Sequence, residues 1–368
     1  MKDFLIRADA SASIGAGHLS RMLALAAGLR ELGGPGVTVS FAAAPLPDVL
    51  AKKVLDEGFR LYSMPKAHNP PDVWPFALEE AQELKALKVL AKEALAMGAA
   101  RNPMLIIDHY GYDKAMIESA ASLYPSVALV DDYQPERLTQ TVSRLLNPTF
   151  SARAVTYPDF DNQQRLLGPG YALLSPQLRQ TAKKTTAALS AQKCQRVLLC
   201  FGFGDTARMS LPVLQALNMV GNHLEITLLA HLKHPDAGQI AEMARQSLNR
   251  LHWLPYCEDM PNLLSKQDLA IVSASTIAHE ALALAVPTAV IACVDNQYPA
   301  AKAMDEAGVA YYLGTAAALR QERLEEGLAK RLQPVVEDDA LRGNLARAGA
   351  VAVNQDGALK TAEILLGI

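Results

Sequence analysis

Short apolar runs alternate along this chain with stretches whose apolar positions recur every three to four residues. That alternation predicts parallel βαβ units. In the first half it places strands at Phe4–Arg7, Val37–Ala43, Arg60–Met64, Met104–Asp108, Val127–Asp131 and Leu145–Asn147, with helices near 18–32, 46–57, 75–98 and 113–123. After Gly168 the alternation lapses, because LLSPQLRQTAKKTTAALSAQK holds no apolar strand and is basic and rich in Ala and Thr. A second series follows at Arg196–Phe201, Glu225–Leu229, Arg250–Leu254, Leu269–Ser273 and Thr288–Ala292. The expected fold is therefore α/β, with two doubly wound Rossmann-like domains at 1–170 and 193–368 and a linker at 171–192. Facing one another, the two sheets would bring their carboxyl ends to a central cleft, where open α/β sheets bind ligands. By analogy with other two-domain folds, a last helix near 357–367 is expected to cross back onto the first domain.

Composition narrows the classes. A chain of 368 residues is too long for one ordinary core. Half its residues are apolar and only 6% aromatic, which suits aliphatic strands and Ala-rich helices rather than a β-sandwich. A net charge of −3 supplies no basic footprint, so neither nucleic acid nor an anionic membrane surface is an expected partner. The apolar run in MKDFLIRADAS is too short for a signal peptide, and no stretch approaches the roughly 20 apolar residues of a membrane span. A soluble, cytoplasmic protein without a membrane anchor is the expectation. Cys194, Cys200, Cys257 and Cys293 are far apart, with no CxxC pair and no His at ligand spacing, and read as reduced buried thiols. The oligomeric state is left open, a monomer being compatible with all of this.

Within LIRADASASIGAGHLSRMLALAAGL, from Leu5 to Leu29, an apolar strand end runs into a glycine turn that presents His18 at the start of a helix. Gly15 and Gly17 permit backbone angles and close approaches that other residues resist, and the helix start favours an anion. Arg21, one turn beyond His18, joins this candidate substrate-binding set. LIIDHYGYD then places Asp108, His109 and Tyr110 just past a buried strand. Asp108 can orient a catalytic histidine or cap the next turn; Tyr110 can hold a water or a sugar hydroxyl; Asp108 and His109 can equally serve loop backbone groups. VDDYQPERL repeats the theme with Asp131 and Asp132. Adjacent side chains on a strand point in opposite directions, so one of the two at most is expected in the cleft.

The second half offers LLCFGFGDT, a strand followed by a loop in which Gly202 and Gly204 would let backbone amides approach a diphosphate, with Asp205 or Thr206 capping the next helix. Further on, Ser273, Ser275 and Thr276 end a strand and open a helix that carries His279 and Glu280. A carboxylate at Glu280, on the face of Thr276, can accept both vicinal hydroxyls of a ribose. Asn296 and Gln297 follow the next strand and are expected at the same edge.

Taken in order, GAGHLSRMLALA, DHYGYD, LLGPGYALLSPQLR, FGFGD, SASTIAHEALAL and DNQ resemble the UDP-sugar hydrolases of pseudaminic acid biosynthesis, over residues 3–313. The resemblance implies GT-B architecture, no metal or other cofactor, and a UDP-sugar as the small-molecule partner. It implies hydrolysis of UDP-2,4-diacetamido-2,4,6-trideoxy-β-L-altropyranose to UDP and free sugar with anomeric inversion, a step that would feed flagellin glycosylation. It also implies that His18 is catalytic, that Tyr110 helps place the water, and that the Ser275–Glu280 helix start binds the nucleotide. Where the family pattern has Asn just before the helix glutamate, this chain has His279.

The chemistry suits that assignment, since UDP is a good leaving group and needs mainly anion stabilisation plus one activated water. An inverting glycosyltransferase would differ only in its acceptor. A UDP-sugar 2-epimerase would require acid and base groups that cannot be assigned here, and a non-catalytic nucleotide-sugar binder would have no use for the His18 imidazole.

Overall fold

The computed structural model describes residues 2–11, 14–66, 78–96, 103–124, 126–132, 134–159, 164–185, 193–221 and 223–368. They form two compact units, Met1–Ser175 with Asp356–Ile368, and Pro176–Gln355.

In chain order the first unit contains β1 (Lys2–Ala8), α1 (Gly17–Gly33), β2 (Val37–Ala43), α2 (Asp48–Asp56), β3 (Arg60–Ser63), α3 (Glu80–Ala96), β4 (Met104–Asp108), α4 (Lys114–Leu123), β5 (Val127–Val130), β6 (Val142–Asn147) and β7 (Gln164–Leu167). The second contains α5 (Pro176–Thr185), β8 (Arg196–Cys200), α6 (Ser210–Val220), β9 (Glu225–Leu229), α7 (Ala237–Gln246), β10 (Arg250–Leu254), α8 (Met260–Leu264), β11 (Leu269–Ser273), α9 (Thr276–Ala283), β12 (Thr288–Ala292), α10 (Tyr298–Glu306), β13 (Tyr311–Thr315), α11 (Ala316–Leu319), α12 (Leu324–Glu337) and α13 (Asp339–Ala352). The closing helix α14 (Gly357–Leu366) belongs to the first unit.

Every strand pairing is parallel. The first sheet runs β3-β2-β1-β4-β5-β6-β7 and the second β10-β9-β8-β11-β12-β13. Central strands are apolar on both faces, as a sheet covered by helices on two sides requires: LAIVS in β11, TAVIA in β12 and VALV in β5 are buried throughout. Strand order reverses between β1 and β4, and again between β8 and β11. In open α/β sheets these reversals open a crevice at the carboxyl ends of the strands, and ligands bind there.

Two features depart from the expected organisation. The stretch 171–192 is not a linker where it is described, since Ala172, Leu173 and Leu174 are buried in the first unit and Pro176–Thr185 is a helix of the second. Its polar sequence hides a helix whose buried apolar positions include only Leu178 and Ala182 among those described. The two short strands β7 and β13 lie at sheet edges, where QRLL and YYLGT need few buried positions. Of the helix expected over 75–98, residues 75–77 and 97–98 lie outside the described residues.

Helix α14 packs along α1, burying Ala358, Ala362, Leu365 and Leu366 beside Leu25 and Leu29. Gly357 makes this docking possible, because a Cβ there would stand 2.4 Å from the Ala172 carbonyl oxygen. No described helix is long and apolar enough to cross a membrane.

Candidate active site

At the carboxyl edge of the first sheet, β1 leads into a loop in which Ser11 and Gly15 bridge, Gly15 at φ +82°. That turn delivers Gly17 as the first residue of α1 and His18 as the second. Among the described residues no side chain caps α1, and its first turn carries no acid. On the neighbouring strand β4, Asp108 is the last residue and is 1% exposed. The His18 Nδ1 lies 2.7 Å from Asp108 Oδ1.

Arg21 closes the group. Its Nε donates to Asp108 Oδ2 at 2.7 Å, its Nη2 to Asp108 Oδ1 at 2.5 Å and its Nη1 to Asp132 Oδ2 at 2.9 Å. The Tyr110 hydroxyl donates to Asp132 Oδ1 at 2.5 Å, and its ring meets the His18 ring edge-on with centroids 4.7 Å apart. Burial opposes charge on Asp108, yet the adjacent Arg21 and His18 hold its carboxyl well below the usual range. An ionised carboxylate only accepts hydrogen bonds, so His18 carries its proton on Nδ1 and Nε2 is left to accept one. The 3.2 Å approach of Arg21 Nη2 to His18 Nδ1 thus brings together two donors that share a carboxylate. Burial and the Asp132 charge raise the Tyr110 phenol well above its ordinary value, keeping it protonated. Arg21, a candidate for substrate contact, gives its Nε and one hydrogen bond from each terminal nitrogen to two carboxylates.

A second polar cluster lies behind this one. Arg7, fully buried on β1, pairs with Asp9 and donates from Nε to Glu83 Oε1 of α3 at 2.5 Å. Tyr112 donates to the same Glu83 oxygen at 2.6 Å. His109 Nε2 lies 3.0 Å from Asp9 Oδ2, while its Nδ1 accepts the Gly111 N–H at 2.9 Å. Burial lowers the His109 pKa, and the ring bridges Asp9 to the loop as a neutral donor and acceptor. Arg137 Nη1 donates to the carbonyls of His109 and Tyr112 at 2.8 and 3.1 Å. The loop carrying Tyr110 is therefore held by groups from β1, α3 and the turn after β5.

The adjacent acids after β5 part as their alternation requires. Asp132 joins Arg21 and Tyr110, whereas Asp131 accepts the Gln134 N–H at 2.9 Å and lies 3.3 Å from Arg137. Asp9, Arg7 and Glu83 were missing from the candidate set, and Asp132 stood in it only as one of an adjacent pair. Arg7 carried a usable signal: a charged residue within an apolar run of a parallel strand has to find a buried partner.

At the carboxyl edge of the second sheet, three loops after the neighbouring strands β8, β11 and β12 carry the remaining candidates. After β8 the backbone is left-handed at Gly202 (φ +91°), Asp205 (+38°) and Arg208 (+48°). Gly204 is half-buried in this turn. Asp205 rather than Thr206 secures the start of α6, accepting the N–H groups of Met209 and Ser210 at 3.0 and 2.9 Å. His234 Nε2 approaches the same carboxylate at 3.0 Å.

After β11, Ser275 stands at the N-cap of α9 without capping it, its Oγ 2.9 Å from Ser273 Oγ, and Thr276 opens the helix. His279 Nδ1 lies 3.2 Å from the Ser275 carbonyl, and Glu280 is half-buried one turn into α9. After β12, Asn296 and Gln297 lie in a 3₁₀ turn, where Gln297 accepts the Cys293 N–H at 3.0 Å and so closes its own loop. The four cysteines are free; Cys194 and Cys200 are buried, their thiols pushed up to about 11 by desolvation, while Cys257 and Cys293 are half-buried. Among the described residues no three His, Cys, Asp or Glu side chains are grouped to hold a metal ion.

Two parallel-sheet α/β domains of this order define the GT-B architecture. Solved structures with the same fold include MurG of Acinetobacter baumannii (TM-score 0.65, 16% identity, all of both chains) and the UDP complex of Staphylococcus aureus MnaA (0.65, 12%, all of this chain and 97% of that one). A UDP-glucosyltransferase of Polygonum tinctorium gives 0.69 at 13% identity, covering 99% of this chain and 97% of that one. No family model matches the chain. In sequence it is 25% identical over 299 residues, 80% of its length and 92% of the relative's, to UDP-2,4-diacetamido-2,4,6-trideoxy-β-L-altropyranose hydrolase of Campylobacter jejuni. It is also 24% identical to the spore coat polysaccharide biosynthesis protein SpsG of Bacillus subtilis, over 54% of this chain and 57% of that one. The chain is thus a sequence relative of the Campylobacter hydrolase.

Proposed function

We propose that this protein is an enzyme that hydrolyses UDP-2,4-diacetamido-2,4,6-trideoxy-β-L-altropyranose, or a close UDP-diacetamido sugar, to UDP and free sugar with inversion. The reading places it in the cytoplasm, on a route to pseudaminic acid or a related polysaccharide. The observation that carries it is the His18–Asp108 pair at the strand-order reversal of the first sheet, with Nδ1 on the carboxylate and Nε2 left to take a proton. In the proposed step a water oxygen bonds to the anomeric carbon as His18 Nε2 takes its proton. The bond from that carbon to the diphosphate oxygen breaks, and its electron pair leaves with UDP. Single displacement by water on the face opposite UDP inverts the centre.

In this reading the second unit holds UDP through its glycine loop at Gly202 and Gly204, the hydroxyls and amides at Ser275 and Thr276, and Glu280 on the ribose. His279, Asn296 and Gln297 are further contacts, and Gly15 and Gly17 let substrate approach the His18 turn. No divalent ion takes part: helix-start amides and hydroxyls neutralise the diphosphate. Support comes from the Campylobacter relative, whose name states this hydrolysis.

The glycosyltransferase reading is favoured by fold neighbours such as the Polygonum enzyme. The deciding experiment offers a panel of UDP-sugars with and without hydroxyl acceptors. UDP released without acceptor supports the hydrolase. UDP released only with acceptor supports the transferase, and a changed configuration at sugar C2 supports an epimerase.

A further inference from the structure

Resting on that reading, the geometry around Tyr110 carries one step more. Its hydroxyl lies 2.5 Å from Asp132 Oδ1, and the other oxygen of that carboxylate takes Arg21 Nη1 at 2.9 Å. The Asp132 side chain is 12% exposed and the Arg21 side chain 9%, so both bonds are shielded from water. Charges and titratable groups face Tyr110 from four sides: Asp132 after β5, Arg21 and His18 on α1, Asp108 on β4, and Arg137 with its guanidinium 5.9 Å from the ring centroid. Arg21 holds Asp132 ionised against burial, and an ionised carboxylate receives the phenol's proton. With its one proton committed, the phenol can only accept from a ligand.

We propose that Asp132 is a positioning residue that accepts hydrogen bonds from the Tyr110 hydroxyl and from one arm of Arg21, so that the phenol oxygen meets the attacking water as a hydrogen-bond acceptor. Tyr110 then orients the water by one hydrogen while His18 removes the other, and Tyr110 gives no proton to the leaving diphosphate. Asp132 touches neither water nor sugar.

The test compares the full-length parent with Asp132→Ala, Asp132→Asn, Tyr110→Phe and the double variant Tyr110→Phe/Asp132→Ala. Steady-state UDP release, UDP affinity by calorimetry and carbon-13 NMR titration of the labelled tyrosine Cζ are the readouts. Asp132→Ala is expected to lower kcat about 10- to 100-fold, the cost of a misplaced reacting group, with KM and UDP affinity within about twofold. The double variant should fall no more than about threefold below Tyr110→Phe, because the two side chains act as a unit. Asp132→Asn keeps an oxygen for the phenol and retains more activity than Asp132→Ala; should the alanine variant not fold, it carries the comparison. In both Asp132 variants the Tyr110 resonance, identified by its absence in Tyr110→Phe, should titrate at lower pH than in the parent. Multiplicative losses in the double variant, a UDP affinity that drops as far as kcat, or an unmoved Tyr110 titration overturns the proposal. Should the parent release no UDP from any UDP-sugar, hydrolysis fails as a reading, and the titration still decides whether Asp132 governs the phenol.

Discussion

The two sheets of this protein share a strand order and differ in what their carboxyl edges carry. In the first, the edge around β1 and β4 is ionic: Arg7, Asp9, Arg21, Glu83 and Asp108 are each under a tenth exposed, Arg7 paired with Asp9 and Glu83 and Arg21 with Asp108. In the second, the loops after β8, β11 and β12 present glycines, serines, a threonine and amide side chains, and their one fully buried acid, Asp205, is consumed in securing a helix start. Buried ion pairs are weak sources of stability, because desolvation offsets their attraction. A fold that concentrates them at one edge gains geometry: each donor has a single direction open to it. Amides and hydroxyls around a turn supply the opposite quality, a neutral cradle with partial positive charge suited to an anion. On the proposed reading, the contrast divides proton chemistry in the first unit from nucleotide binding in the second.

The sharpest way to break this division is to mutate one residue on each side. His18→Asn should reduce turnover by about two to four orders of magnitude and leave UDP affinity nearly intact, as expected for loss of a general base. Glu280→Ala should do the reverse, weakening UDP binding by about 1.5 to 3 kcal/mol with a smaller effect on kcat. Isothermal calorimetry paired with UDP-release kinetics measures both. If His18→Asn loses binding and rate equally, the imidazole is a ligand-holding group and the division fails.

A smaller effect concerns folding. Replacing Arg7 by Met leaves Asp9 and Glu83 buried without their cation and should cost about 3 to 5 kcal/mol in a denaturant titration. Breaking the surface-facing pair Arg208–Asp236 of the second unit by Arg208→Ala should leave stability almost unchanged, since its arginine is exposed and screened by water. Comparable losses from the two substitutions would show that the first network is not held together by its buried charge.

Acid should sharpen the contrast further, by the least amount. His109 is held neutral by burial, so the unfolded chain binds a proton there below about pH 6.5 that the native state refuses, and stability falls with pH in that range. Asp9, Asp108 and Asp132 have lowered native values, so the stability they supply is present above about pH 4 and is lost as pH drops through those values. The lowered carboxyls of the second unit, Asp236 and Asp268, add only to the later phase. Native-state hydrogen exchange followed by peptide should therefore show β4 weakening between about pH 6.5 and 5 while β8 does not. Simultaneous weakening of both strands would contradict this.

Much of this contrast was legible before any coordinates. Buried parallel strands read as unbroken aliphatic runs, so β2, β4, β11 and β12 fall where the pattern placed them, and β9 and the edge strand β10 do so with fewer buried positions. The edge strands β7 and β13 bury too little to leave that trace, and β13 is further disguised by Gly314 at φ +130° and a shift of register against β12. His18, Asp108 and Tyr110 were readable because each lies in a short local motif at a strand end. Glu83 was not: it stands 76 residues from Arg7 on a helix whose sequence reads as an ordinary solvated one. Only the docking of α3 on the sheet brings the two together. The choice between Asp131 and Asp132 was narrowed by alternation and decided by where Arg21 and Arg137 enter.

The central claim, that His18 directs water to the anomeric carbon, is tested most directly by turnover in oxygen-18 water with the first-formed anomer read by NMR. The account predicts label on the anomeric oxygen of the released sugar, none in UDP, and an inverted configuration. Label in UDP would place attack at phosphorus, and a retained anomer would require a covalent intermediate; either result contradicts the account.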